Sequence, residues 1–322
     1  MRPLNIALLA LAGLAHAVPA LAQSEFPARQ PVKLVVTFAP GGGADAAARA
    51  ISDKLSEKLG QSVIVENRPG AGGTIATSHV AKSPADGYTV LFTVSSHSIN
   101  QALMPSLPFD TEKDLKGVTL VGQLPQVLAV HPSVPANNLA EWLALGAKDP
   151  KFRQYATGGV GSPGHFAGAV LESMSKHPLT HVGYKGAGPA MTDVIGNQVS
   201  AVLGSMGGMV PHLKSGKLKP IAITSAKRNP LLPNAQTMGE TVSGYEADTW
   251  VGMFVPAGTP AAVVGKLHAA TAAALADPAV KTRLDGQGIN VVAGPGAELD
   301  KLVSQEIKLF TRVVREQGIK AE

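Results

Sequence analysis

Three short strand-like runs are each followed by a glycine-rich turn and then by a stretch with helical spacing, an order that restricts the chain to an α/β fold with parallel strands. Val32-Lys33-Leu34-Val35-Val36 leads into Phe38-Ala39-Pro40-Gly41-Gly42-Gly43-Ala44-Asp45, and Val63-Ile64-Val65 into Asn67-Arg68-Pro69-Gly70-Ala71-Gly72-Gly73. Tyr155-Ala156-Thr157 leads into Gly158-Gly159-Val160-Gly161-Ser162-Pro163-Gly164-His165. Glycine lets the main chain approach a ligand closely, and the first amides of the following helix lack partners within it. Each turn is therefore a cradle for an anion.

The first helix is expected to begin at Asp45, whose carboxylate can cap it, and carries Ala47, Ile51, Leu55 and Leu59 until Gly60 stops it. A strand at Tyr88–Phe92 is expected to run on into Thr93-Val94-Ser95-Ser96-His97-Ser98, a hydroxyl-rich strand end on the same side as the first two turns. The stretch from Leu120 to Pro135 reads as a crossover into a second strand-helix series, with a helix around Met191 to Ile195 and strands at 199–203 and 221–224. Thr249–Val255 reads as a return strand, and Thr259-Pro260 as the start of a helix to about Ala276. A last helix carries Leu299, Val303, Ile307, Phe310 and Val314. The expected organisation is two α/β lobes joined by two hinge strands, with a cleft between them: residues 23–125 and 248–322 form a discontinuous first lobe, 126–247 the second.

Arg2 precedes an apolar run from Leu4 to Val18, and Ala20-Leu21-Ala22 offers small residues for cleavage, so residues 1–22 read as a signal peptide cut after Ala22. The run is broken by Pro19 and is shorter than the roughly 20 residues of a membrane span. The chain has no cysteine, which removes lipid anchoring, disulfides, thiol catalysis and cysteine metal sites, and a Gram-negative periplasm is the expected compartment. Loss of Arg2 takes the formal charge from +5 to +4, a mild bias toward anionic partners. Nucleic acid is excluded as a partner, because basic residues are scattered and aromatics are too few for stacking. The densest basic group, Lys214, Lys217, Lys219, Lys227 and Arg228, reads as a solvated loop face.

Catalytic patterns fail one by one. Gly159-Val160-Gly161-Ser162-Pro163-Gly164 satisfies G-x-G-x-x-G but stands in the second series rather than the first βαβ unit, and no acidic residue closes the next strand. Neither early glycine turn carries the lysine of a phosphate-binding loop. Ser162 has Val160 where a nucleophile elbow needs glycine, and Ser205 fails likewise, which leaves a secreted serine hydrolase using Ser162 as the alternative. His177 and His181 are four apart, but Pro178 between them indicates a surface loop rather than a metal site. What remains is a set of neutral donors: amides at three turns and the hydroxyls of Thr93, Ser95, Ser96, Thr157 and Ser162. Such groups bind a carboxylate without chemistry, each hydrogen bond contributing roughly 1.5–3 kcal/mol.

Pro40-Gly41-Gly42-Gly43-Ala44-Asp45-Ala46-Ala47-Ala48-Arg49, Val65-Glu66-Asn67-Arg68-Pro69-Gly70-Ala71-Gly72-Gly73 and Ala85-Asp86-Gly87-Tyr88-Thr89 follow one another in order. They continue through His97-Ser98-Ile99-Asn100, Gly161-Ser162-Pro163-Gly164-His165, Tyr184-Lys185-Gly186, Gly216-Lys217-Leu218, Trp250-Val251-Gly252 and Pro256-Ala257-Gly258-Thr259-Pro260. In this the chain resembles the Bug-type periplasmic solute receptors of tripartite tricarboxylate transporters over its whole mature length. The resemblance implies a type II periplasmic binding protein fold and a small organic acid as ligand. It further implies a monomer without cofactor, metal or catalytic residue, and delivery to an inner-membrane permease of two subunits. A sensory receptor presenting its ligand to a kinase shares the fold and differs only in the partner. The implied ligand set from the first lobe is Phe38, Ala39, Gly42, Gly43, Asp45, Ala71, Gly72, Thr93, Ser95 and His97; from the second it is Thr157, Gly161, Ser162, His165 and Ser205. Family members often carry carboxylates near Ser200, and their absence is expected to favour a plain mono- or dicarboxylate over an amine-bearing ligand.

Overall fold

The computed structural model describes residues 26–40, 43–104, 106–245 and 247–320; the expected signal peptide and Gly42 lie outside them. The chain begins with β1 (Val32–Val36), α1 (Gly43–Leu59), β2 (Val63–Asn67), α2 (Thr74–Ala81), β3 (Thr89–Val94), α3 (Ser96–Leu103) and β4 (Leu115–Gln123). It continues with β5 (Gln126–Val130), α4 (Leu139–Lys148), β6 (Gln154–Thr157), α5 (Pro163–Ser175), β7 (Thr180–Gly183), α6 (Ala187–Ile195), β8 (Ala201–Ser205), α7 (Met206–Lys214), β9 (Lys219–Ile223) and β10 (Gln236–Thr237). It returns through β11 (Trp250–Pro256), α8 (Ala261–Leu275), α9 (Pro278–Asp285), β12 (Asn290–Pro295) and α10 (Gly296–Gln317).

Two six-stranded mixed sheets result, in the orders β12-β4-β11-β3-β1-β2 and β10-β9-β5-β8-β6-β7. Each contains a parallel trio, β2-β1-β3 in one and β7-β6-β8 in the other, whose carboxyl ends carry the glycine turns. In open α/β sheets these ends are where ligands settle. β11, in the middle of the first sheet, is buried at every position, as a strand covered by helices on both faces must be.

The lobes are joined where two segments cross side by side. Leu124 N–H donates to Thr249 O, Gln126 N–H to Thr224 Oγ1 (2.9 Å), and Asp248 Oδ1 accepts from both Thr224 Oγ1 (3.1 Å) and Thr249 N–H (3.0 Å). α10 packs on α3 and β4 and then reaches the second lobe, where Phe310 meets Phe166 of α5 edge-on at 5.2 Å between centroids. No described helix is long and apolar enough to cross a membrane.

Several local expectations change. β3 stops at Val94, and the expected strand end at 95–98 is instead the first turn of α3: Ser95 adopts helical angles and its carbonyl accepts from Ser98 and Ile99 amides. Ile99 and Leu103, four apart, bury against Phe166 and Phe310, and that contact favours helix over strand. α1 starts two residues before Asp45. Thr259 donates its hydroxyl to Pro256 O, and Pro260 stands at the N-terminus of α8.

Candidate functional site

The first two turns are held as one unit by a buried carboxylate. Asp45, 3 % exposed, accepts from Arg49 Nε (3.0 Å) and from Asn67 Nδ2 (2.9 Å), and the same amide group of Asn67 donates to Phe38 O (2.9 Å). Asn67 Oδ1 in turn accepts from Arg49 (3.0 Å). Asp45 is thus a loop organiser, and its burial leaves it without direct access to a ligand. Loss of the Asn67 side chain removes three bonds from this network, two of them partly buried, so Asn67→Ala is expected to lower stability by about 2 kcal/mol in urea titrations. An unchanged urea midpoint would show that the loops hold together without it.

The second turn is the more contorted. Gly70, Ala71, Gly72 and Gly73 have φ of 130°, 46°, 63° and 100°, and the Gly73 amide closes the turn by donating to Gly70 O (2.9 Å). Beneath it Thr37 Oγ1 and Thr93 Oγ1 bond at 3.2 Å, and a Cβ on Gly73 would lie 3.0 Å from Thr37 Cβ. Thr93 is fully buried, so it braces the turns from below. Asn100 on α3 donates from Nδ2 to Gly72 O (2.9 Å), and Ser96 of the same helix stands over Gly73.

Opposite, the second lobe offers the turn after β6. Ser162 caps α5, its Oγ accepting from His165 N–H (3.3 Å) and donating to Thr157 Oγ1 (3.3 Å). Thr157 Oγ1 is 2.7 Å from His181 Nε2, His165 Nδ1 accepts from Gly161 N–H (3.3 Å), and the His165 and His181 rings stack at 3.9 Å. Burial pushes the His165 pKa down to about 3, helped by the neighbouring His181, and takes His181 down to about 4; both rings are neutral at ordinary pH. Beside the glycine turns the two lobes approach each other closely. A Cβ on Gly161 would lie 3.6 Å from Asn100 Oδ1, and one on Gly43 would lie 3.5 Å from Ser205 Oγ.

Gly43 thus stands against Ser205, and Gly72 and Gly161 lie on either side of Asn100; Ala71 and Ser162 are their chain neighbours, and Phe38 and Ala39 belong to the first turn. Thr157 and His165, nearly fully buried, stand behind Ser162. Ser95 is buried at the start of α3. His97 is turned the other way, against the sheet: it is 2 % exposed, its ring lies 4.5 Å from Phe254 and 6.5 Å from Trp250, and neither nitrogen has a partner among the described residues. Burial takes its pKa down to about 3.

Two further readings are corrected. His181 lies on β7 rather than in a surface loop, because the short strand pairs in register with β6 and sets His181 opposite Tyr155. Ser200 precedes β8 at the end away from the gap and donates to Gln154 O (2.7 Å), so the residues there say nothing about ligand charge. Ser162, for its part, bonds to a threonine hydroxyl and not to an imidazole. Asn100, Thr37 and His181 escaped notice as site residues; Asn100 was legible only as part of the His97–Asn100 motif.

A cavity of about 370 Å³ also opens behind the hinge, lined by Asp248, Trp250, Tyr245 and the Leu302–Phe310 stretch of α10. In it Trp250 Nε1 donates to the buried Glu306 carboxyl (2.8 Å). Burial raises Glu306 to about 8 and Asp248 to about 6.

A family model for the tripartite tricarboxylate transporter family receptor matches residues 47–319. The protein BugT of Bordetella pertussis is 35 % identical over 317 residues, covering 97 % of this chain and 95 % of BugT. Among solved structures, that of R. palustris Rpa4515 with adipate is 33 % identical, with a TM-score of 0.84 over 92 % of this chain and 99 % of that one. That of MatC (Rpa3494) from Rhodopseudomonas palustris with bound malate is 32 % identical, with a TM-score of 0.80 over 90 % and 100 %.

Proposed function

The chain belongs to the tripartite tricarboxylate transporter receptor family and has the two-lobed fold of periplasmic binding proteins, and from that premise we propose that it is an exported receptor for a small organic carboxylate. It binds without turnover and hands its ligand to a two-subunit inner-membrane permease. The moving bodies are residues 23–125 with 248–322 and residues 126–247, and export depends on residues 1–22 as a cleaved signal.

One observation carries this reading: the Gly70–Gly73 and Gly158–Ser162 turns, each at the carboxyl end of a parallel strand, face each other across Asn100. The first lobe presents main-chain amides, from Ala39 and Gly43 of the first turn and Ala71 and Gly72 of the second, to one carboxylate. The second presents Ser162, supported by Thr157 and His165. Main-chain amides and neutral hydroxyls held in place before binding cost little reorganisation, which suits a receptor for an anion. The proteins seen with adipate and with malate have nearly the same backbone, which supports dicarboxylates as the first class to try.

A thermal-shift screen of organic acids tests it. A ligand at a hundred times its dissociation constant adds about 2.7 kcal/mol, which for a chain of this size raises Tm by roughly 5 °C. Adipate and malate belong in the panel beside monocarboxylates and amino acids. A panel in which no carboxylate moves Tm would sink the receptor reading.

A further inference from the structure

Resting on the carboxylate reading above, we propose that His181 is a positioning residue: its Nε2–H tautomer fills an acceptor site on Thr157 and thereby frees the Ser162 hydroxyl to donate to the ligand carboxylate. The argument is a count of protons and lone pairs. Thr157 Oγ1 has one hydrogen and two lone pairs. Around it lie Gly159 N–H (3.2 Å), the Ser162 hydroxyl (3.3 Å), His181 Nε2 (2.7 Å) and Gly159 O (3.3 Å).

Two arrangements keep Thr157 Oγ1 within its one hydrogen and two lone pairs. With His181 protonated on Nδ1, Thr157 donates to Nε2 and accepts from Gly159 N–H and from Ser162. The serine proton is then committed to Thr157, and Ser162 shows the gap only a lone pair. With His181 protonated on Nε2, that N–H and the Gly159 amide occupy both lone pairs of Thr157, whose own hydrogen turns to Gly159 O. Ser162 then has no acceptor at Thr157, while its Oγ still accepts from His165 N–H. Its proton points to the gap, where a carboxylate oxygen takes it.

The choice is confined to His181. His165 is fixed as the Nε2–H tautomer because its Nδ1 accepts from Gly161 N–H, and its ring stacks on His181 and holds that ring in plane. Thr157 is 1 % exposed, so solvent does not compete for its lone pairs. Neutral rings are required for tautomers to exist at all, and burial keeps both neutral.

The test uses the full mature protein with adipate and malate as probes. Wild-type binding by calorimetry comes first; if neither acid nor any other carboxylate binds, the receptor reading and this inference fall together. Given wild-type binding, His181→Phe is expected to weaken it about tenfold, since Ser162 returns its proton to Thr157. His181→Gln, whose amide N–H reaches the Nε2 position, is expected to restore it to within twofold. In a Ser162→Ala background His181→Phe should have no further effect, which separates positioning from a general loss of structure. Should His181→Phe not fold, the tautomer of His181 in the wild-type complex decides the matter on its own. Nitrogen-15 spectra of labelled histidine are expected to show His181 as the Nε2–H tautomer when either acid is bound. Equal affinity in His181→Phe, or an Nδ1–H tautomer in the complex, overturns the inference while leaving the receptor reading intact.

Discussion

Gly72→Leu is expected to weaken carboxylate binding at least a hundredfold while the protein stays folded. Gly72 has φ of +63°, and a Cβ there would lie 2.9 Å from Asn100 Oδ1, the side chain whose Nδ2 holds Gly72 O. A leucine displaces Asn100, removing a hydrogen bond of about 1 kcal/mol and adding about 1–2 kcal/mol of left-handed strain. The larger part of the effect is steric. Asn100 also faces Gly161 of the other lobe, so a branched side chain at 72 stands in the gap that a ligand and the closed arrangement must share. Gly216→Leu is the control: φ there is +69° and nothing lies within 4 Å of a Cβ, so it carries the same strain far from any site. It should lose about 1 kcal/mol of stability and none of the affinity. Calorimetry with the best ligand of the screen decides the matter. Binding by Gly72→Leu within threefold of wild type would remove the second glycine turn from the site.

The second large effect is a stability maximum near pH 7, with a loss on both sides that belongs to named groups. On the acid side His97, His165 and His181 have folded pKa values of about 3, 3 and 4, below the usual 6.5. The unfolded chain binds protons that the folded one refuses, so their contribution is complete above about pH 6.5 and is lost as pH falls toward 4. Glu306 and Asp248 act in the opposite direction. Burial raises them to about 8 and about 6 from 4.5 and 3.8, so the folded state keeps protons that the unfolded one has released. Their contribution is complete below about pH 4 and declines as pH rises, the Asp248 part ending near 6 and the Glu306 part near 8.

At about 1.4 kcal/mol per proton per pH unit, three histidines outweigh two carboxyls below pH 6.5, for a net loss on the order of 3 kcal/mol by pH 4.5. Between pH 7 and 8 only Glu306 of these groups titrates, and stability falls by about 1 kcal/mol. Urea midpoints from pH 4.5 to 8.5 measure both limbs. Glu306→Gln keeps an acceptor for Trp250 Nε1 and is expected to flatten the alkaline limb; His97→Phe should make the acid limb shallower by about one proton. A wild-type protein whose stability is flat from pH 7 to 8, or a Glu306→Gln variant that keeps the decline, would refute the assignment.

The strand-turn-helix units were readable because their signal is local. Val32–Val36 and Val63–Asn67 are short, β-branched and bounded by glycine turns, and α1 announces its buried face every fourth residue from Ala47. α3 was not readable. Ser95-Ser96-His97-Ser98 has no apolar period of its own, and the contact that makes it helical, Ile99 and Leu103 against Phe166 and Phe310, involves partners far along the chain. β7 is only four residues long and follows Pro178, so composition suggested a loop; pairing with β6 supplied the missing hydrogen bonds and carried His181 to Thr157.

The sequence by itself determined the class of the molecule. The glycine turns between strands and helices, the missing phosphate-binding lysine and each family motif rest on residues within a few positions of one another, and the absence of cysteine is read from composition alone. Tertiary structure alone decided what each polar side chain near those turns does. His97 and His165 stand in similar hydroxyl-rich surroundings, yet one is driven into the sheet against Phe254 while the other backs Ser162. The difference is the rotation of α3 and α5 about their axes. That rotation is set by which apolar face each helix buries: α3 against α10 and β11, α5 against the second lobe's own sheet and α10.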